Sequence, residues 1–181
     1  MLSSSIGYYG LILGLICSLS LVYFSLHNFK NGENLNIKIL SLTFLQFIFV
    51  MIAFLSLIVS FVLSDFSNET VFNNSHSTKP IFYKVAGVWG NHEGSLLLWL
   101  LVLTLFTLMF LLKTKNQPLK YRILTTLFQQ IIVIGFFIFL IQSSNPFNYI
   151  YPSPNEGLGL NPILQDPALA IHPPILYLGY V

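Results

Sequence analysis

Four stretches of this chain run long enough without a charge to cross a bilayer, and that feature fixes most of what it can fold into. They cover about 6–26, 39–63, 95–112 and 123–141. A spanning helix needs roughly 17–25 apolar residues. Lipid offers no water to pair with exposed backbone groups, so an open-ended crossing must be helical. The runs are continuous rather than alternating, which excludes a membrane barrel. Charged residues make up 8% of the chain, against about 25% in an ordinary soluble domain. Apolar residues make up 55%, more than a soluble core of this length can hide. The expected fold is an all-α membrane protein, one module over 1–181, with four transmembrane helices and the start of a fifth. The net charge of +2 is too small to suggest nucleic-acid binding, and lipid is the implied surrounding.

The charges orient the module. Two short connections, Asn28 to Lys38 and Lys113 to Arg122, hold Lys30, Lys38, Lys113, Lys115, Lys120 and Arg122, six of the eight basic residues. Two long connections, 64–94 and 142–172, hold Lys79 and Lys84 with five of the six acids. The positive-inside rule puts the short connections inside, so the N-terminus and both long loops lie outside. Met1 to Leu26 carries no charge and is too long for the core of a signal peptide, so the first span is expected to stay in the mature protein. A single cysteine, Cys17, excludes an internal disulfide and a C-x-x-C pair, and it lies within the first span as a packing residue.

Past the second long loop comes His172-Pro173-Pro174. Proline suits the first turn of a helix, so a fifth helix is expected to begin at Pro173 with His172 at its cap. Only nine residues of it are present, too few to span. Gln46, Gln129 and Gln130 lie within spans and are expected to bond between helices.

Four histidines are present. His27 reads as an interfacial polar residue and His76 as a solvated one. His92 lies in Trp89-Gly90-Asn91-His92-Glu93-Gly94-Ser95 at the mouth of the third span. If that stretch is helical, Trp89, His92, Leu96 and Trp99 share a face that could hold a flat ligand. The alternative is that the tryptophans belong to the interfacial belt and that His92 and Glu93 sit at a helix N-terminus, where an acid is favoured. His172 is the stronger ligand candidate, because two prolines stiffen the backbone that presents it, as suits an axial haem ligand. No acid or cysteine at metal spacing accompanies it, which argues against zinc.

The run from Val88 to Trp99, VWGNHEGSLLLW, closely resembles the W-G-x-H-E-G-S-L-L-L-W segment of the CcmF family. The run from Asn161 to Val181, NPILQDPALAIHPPILYLGYV, resembles a second hallmark of that family, and Ser144-Asn145-Pro146-Phe147 a third. CcmF is the large membrane subunit of the haem lyase of cytochrome c maturation. The resemblance implies a haem b shared with the remaining CcmF segment or chain, delivered by the CcmE haem chaperone. It also implies a CcmH-type thiol component and, as acceptor, the C-x-x-C-H thiols of apocytochrome c. His172 matches the first of two external histidines that hold haem in the family. The family's tryptophan-rich segment, its second external histidine and its intramembrane histidine pair are absent, so the chain resembles an N-terminal piece of CcmF, not expected to be active alone.

Some mitochondrial genomes divide this protein, and the Phe, Ile, Asn and Lys richness fits an organellar origin in a mitochondrial inner membrane, with long loops in the intermembrane space. A bacterial inner membrane with periplasmic loops is the alternative. On the residues alone, two other readings stand: a structural subunit of a respiratory or transporter complex without its own haem, and a quinone-binding module built on the face near Trp89 and Trp99.

Overall fold

Helix formation follows the apolar runs closely, because each run must close its own backbone hydrogen bonds. The computed structural model describes residues 2–31 and 37–181. Its long helices are α1 (Leu2–Asn31), α2 (Ile37–Val62), α5 (His92–Lys113) and α6 (Leu119–Gln142). Between α2 and α5 lie two short helices, α3 (Glu69–Asn74) and α4 (Ile81–Trp89). A 3-10 turn over Pro162–Gln165 leads into α7 (Pro167–Tyr180). Four helices are long and apolar enough to cross a membrane; three extend a few residues past at least one end of their expected runs, and the second matches its run to within two residues at each end. The first short connection falls partly on residues 32–36, outside the described residues.

The four long helices form a ring in the order α1, α2, α5, α6. Leu57, Phe61, Leu97, Leu100 and Phe137 are fully buried along its axis. Packing alone holds such helices weakly, since lipid is as apolar as they are, so close approach and buried polar contacts matter. Gly10 supplies the first: a Cβ there would come within 2.9 Å of the Phe49 carbonyl on α2. Ser18, Gln46 and Gln130 supply the second. The Ser18 hydroxyl donates to Gln130 Oε1 at 2.6 Å, and Gln46 Nε2 donates to Ser18 Oγ at 2.7 Å and to Gln130 Oε1 at 2.9 Å. All three are buried and lie on α1, α2 and α6. The expectation that span glutamines bond between helices holds for this pair, and Gln129 reaches the Leu103 carbonyl of α5 at 3.4 Å.

The basic end closes itself. Arg122 donates from Nη2 to the Leu111 carbonyl at 2.9 Å, a carbonyl of the last turn of α5 that lacks a helical donor. Lys113 sits in the same turn, where the helix dipole favours a cation.

The opposite end carries both long loops, and they are clasped together. Glu69 N–H donates to the Asn148 carbonyl and Ile150 N–H to the Ser67 carbonyl, both at 2.9 Å. Asn68, buried, ties three segments: its amide donates to Ser4 Oγ at 3.0 Å and to the Pro146 carbonyl at 2.9 Å, while its carbonyl caps α3 at Val71. Further out, Leu158 N–H reaches the Phe72 carbonyl at 2.8 Å and Ser77 N–H reaches Glu156 Oε1 at 2.9 Å. Helix α2 ends with Ser64 in the left-handed region at φ 54°, a position that usually takes glycine. Its hydroxyl accepts from the Lys84 ammonium at 2.7 Å, which gives the buried Lys84 a polar partner in α4's packing against α2.

Two outcomes follow from these contacts. Gln130→Ala is expected to lower unfolding stability in bicelles by about 1 kcal/mol, and Gln46→Ala to add little in that background, because the two share one network. The Ser77 hydroxyl and amide bonds hold the Glu156 carboxyl down to about 2. A depressed carboxyl stabilises the clasp fully above the usual glutamate range and loses that effect as pH falls toward 2. Amide exchange at Ser77, corrected for its intrinsic rate, should therefore accelerate between pH 4.5 and 2, and Glu156→Gln should remove that dependence.

Candidate functional site

The singled-out residues lie at the mouths of α5 and α7, and the backbone explains how each is placed. Trp89 ends α4 and His92 begins α5, with Gly90 and Asn91 forming an elbow between them. A continuous helical face from Trp89 to Trp99 is therefore broken at its first member, and His92 and Glu93 sit in the first turn of α5, as the alternative held; His92, Leu96 and Trp99 remain on one face of α5. Asn91 causes the break. Its side-chain carbonyl accepts from Gly94 N–H at 2.8 Å, capping α5, and its amide donates to the Gly87 carbonyl at 2.7 Å, closing α4. One side chain thus ends one helix and starts the next. Ser95 adds a bond from Oγ to the Trp89 carbonyl at 2.8 Å. Gly94 is required by space, since a Cβ there would lie 1.6 Å from the Val88 carbonyl oxygen.

His92 faces the end of α6. Its Nδ1 is 3.1 Å from Ser144 Oγ, and its ring meets Phe139 edge to face at 6.1 Å. Below it an apolar cleft of about 330 Å³ is lined by Leu96, Ile132, Gly135, Phe136 and Phe139. Trp99 is occupied by protein rings: Tyr177 of α7 stacks on it at 5.5 Å and 21°, and Phe136 lies tilted at 5.3 Å.

Helix α7 corrects an expectation. It begins at Pro167, not Pro173, and His172 lies inside it rather than at its cap. Asp166 is the cap, accepting from Ala168 N–H at 2.8 Å and Leu169 N–H at 3.1 Å, with Pro167 in the first position. The Asp-Pro pair is an ordinary start signal visible in the sequence. Pro173 and Pro174 lie mid-helix, where each removes a hydrogen bond to the carbonyl four residues earlier. For Pro174 that carbonyl belongs to Ala170, and Trp89 Nε1 donates to it at 2.7 Å. The side chain of one motif thus supplies the donor that the other motif lacks.

The helix has two unlike sides. Ala170 is buried, and Pro173, Pro174, Tyr177 and Val181 are partly covered. At about 100° per residue these five positions fall on one face, and His172 falls roughly opposite its centre. His172 is exposed and makes no hydrogen bond to the described residues. Among the described residues no group of three or more metal-ligating side chains converges. An open imidazole on a helix braced from behind has the chemistry of a ligand to haem iron. Ser144 and Tyr177 lie within the family-like segments, but their pairing with His92 and Trp99 has no signal in the sequence, because only tertiary packing brings them together.

Comparison with known proteins bears on the same residues. Residues 89–181 match the family model described as cytochrome C assembly protein. The chain is 52% identical over 137 residues to the cytochrome c-type biogenesis protein CycK of Rhizobium meliloti, covering 75% of this chain and 20% of that protein. It is 40% identical over 183 residues to the cytochrome c-type biogenesis protein CcmF of Haemophilus influenzae, covering 98% of this chain and 28% of that one. A solved structure described as cytochrome c heme lyase CcmF superposes with a TM-score of 0.82 at 27% identity, over 98% of this chain and 28% of that chain. The chain thus spans between a fifth and somewhat over a quarter of the length of these relatives. The relatives named are bacterial.

The elbow is testable. Asn91→Ala removes a cap and two further bonds, and should cost about 1–2 kcal/mol in unfolding stability. Gly94→Ala should cost more, because the clash is with backbone, and both losses should appear as reduced protein accumulation in the membrane.

Proposed function

The chain belongs to the family of cytochrome c assembly proteins, and from that membership we propose that it forms the N-terminal portion of a CcmF-type haem lyase. In this reading it presents His172 as an external ligand to haem iron while haem passes from the CcmE chaperone to apocytochrome c. Haem is cargo here. When bound it supplies the porphyrin to which the C-x-x-C-H thiols of the apocytochrome are joined, with a CcmH-type component keeping those thiols reduced.

The observation that carries the reading is the presentation of His172. It stands on the uncovered side of α7, within the segment matched to the family, with its imidazole unbonded. A ring nitrogen that bonds nothing among the described residues is available to a ligand, and a helix anchored on its opposite side holds that ring in one place. The remaining length of the relatives, whether on this polypeptide or another, would supply the facing wall and the second axial ligand. His92 is held to Ser144 and to Phe139, a residue that lines the apolar cleft, and in this reading it shapes the haem site without touching iron.

The orientation follows from charge. Lys30, Lys38, Lys113, Lys115, Lys120 and Arg122 gather at the end away from the clasped loops, so the clasp and His172 face the outer side of an inner membrane. That is where haem would meet the apocytochrome.

His172→Ala tests the assignment in cells carrying the complete maturation system. The variant is expected to insert at the parent level while holocytochrome c falls by at least tenfold. Normal holocytochrome with normal insertion would remove His172 from the site. Cysteine labelling at Lys115→Cys and Ser153→Cys tests the orientation: an impermeant reagent applied outside should reach the second and not the first.

A further inference from the structure

We propose that Trp89 is the positioning residue of the haem site, acting through α7 on His172; the proposal rests on His172 being the haem ligand. Three observations lead to it. The Trp89 indole N–H donates at 2.7 Å to the Ala170 carbonyl, two residues before His172. That carbonyl is without a helical donor because residue 174 is proline. Much of α7 is open: Ile171, Ile175, Leu178 and Tyr180 are all exposed, while beyond His172 Tyr177 stacks on Trp99 and Val181 packs against the core. The two tryptophans therefore brace α7 on either side of His172, from the face opposite its ring.

The Trp89 bond is the directional one of the two. A stacked pair tolerates sliding, whereas an N–H donor at 2.7 Å on a partly buried carbonyl fixes both the height and the rotation of the helix. Rotation is what decides where an imidazole at position 172 points. Trp89 itself is set by the Asn91 elbow, so the position of His172 is referred through α4 to the mouth of α5. The prolines have a role on this account: they leave one carbonyl open for a donor from another helix.

The test uses the complete haem-loaded complex in membranes and removes only the donor. Trp89→Phe deletes the N–H and keeps an aromatic ring. Incorporating benzothienyl-alanine at position 89 replaces that N–H with sulfur and leaves the shape intact, so it reports even if the phenylalanine variant does not accumulate. Two readouts are taken: the haem absorption and resonance signature, and the distance distribution between spin labels at Ile81→Cys and Ile175→Cys. Removing one such bond should lower haem retention roughly two- to tenfold, shift the haem signature and broaden the label distance, at normal protein level.

The double variant Trp89→Phe with Pro174→Ala separates positioning from simple backbone satisfaction, because residue 174 then supplies Ala170 with a helical donor. If the bond positions α7, the double variant stays broadened and its haem signature stays shifted. Restoration of the parent signature and distance by Pro174→Ala would overturn the proposal, as would an unchanged signature and distance in both donor-deleted proteins. His172→Ala serves as the reference. If that variant keeps the parent haem signature, the ligand reading fails, while the label distances still report whether Trp89 holds α7.

Discussion

A backbone polar group that finds no partner at membrane depth is the constraint on which this structure depends. It makes the four long runs helical and makes the basic end close on itself through Arg122. It also explains the one place where the chain violates its own pattern. Two consecutive prolines inside α7 cancel two helical bonds, and the indole of Trp89 crosses from α4 to take one of the freed carbonyls. Two sequence motifs eighty-one residues apart are thereby joined by a single hydrogen bond. Without that donor, Ala170 would carry a buried carbonyl with no helical partner, a loss of about 1–3 kcal/mol by the usual cost of such groups.

The outer side is built for rigidity in a region that would otherwise be two long loops. Asn68 and Asn91 perform similar tasks there, each capping a helix with its side-chain carbonyl while its amide ties a neighbouring segment. Phe147, between the two, packs its ring against the backbone of α1 at Gly7. The resulting platform gives α4 and the mouth of α5 a fixed place, and α7 rests on both. His172, at the end of that chain of contacts, is held from behind by residues on the opposite side of α7, which is how a largely open helix can present one side chain in one direction.

Much of this was legible in the sequence because lipid leaves few choices. The four spans, the segregation of basic residues and the interhelical use of Gln46 and Gln130 follow from apolar length and from the cost of an unpaired amide. Helix α7 is less legible. Pro173 suits a first turn, and it competes with the better start signal, Asp166-Pro167, because a mid-helix proline pair is costly in isolation. Only the tertiary contact from Trp89 removes part of that cost, and no local pattern announces it. Of the two readings of the Trp89–Trp99 stretch, the helix N-terminus at His92 and Glu93 holds for the converse reason: Asn91 satisfies both helix ends at once, so the elbow replaces a continued helix. Short helices α3 and α4 within an expected loop owe their place to Asn68, tied to Ser4 and Pro146, and to Lys84 on Ser64, again partners distant in sequence.

In the proposed function the imidazole at position 172 meets haem iron on the uncovered side of α7. Exogenous imidazole supplied to a His172→Gly complex isolates that contact, since a small ring can enter the space the side chain vacates. The haem absorption band should be lost in this variant and return, with the parent position, as imidazole is added. A band that persists in the variant without imidazole, or one that stays lost at saturating imidazole while the protein remains inserted, would contradict it.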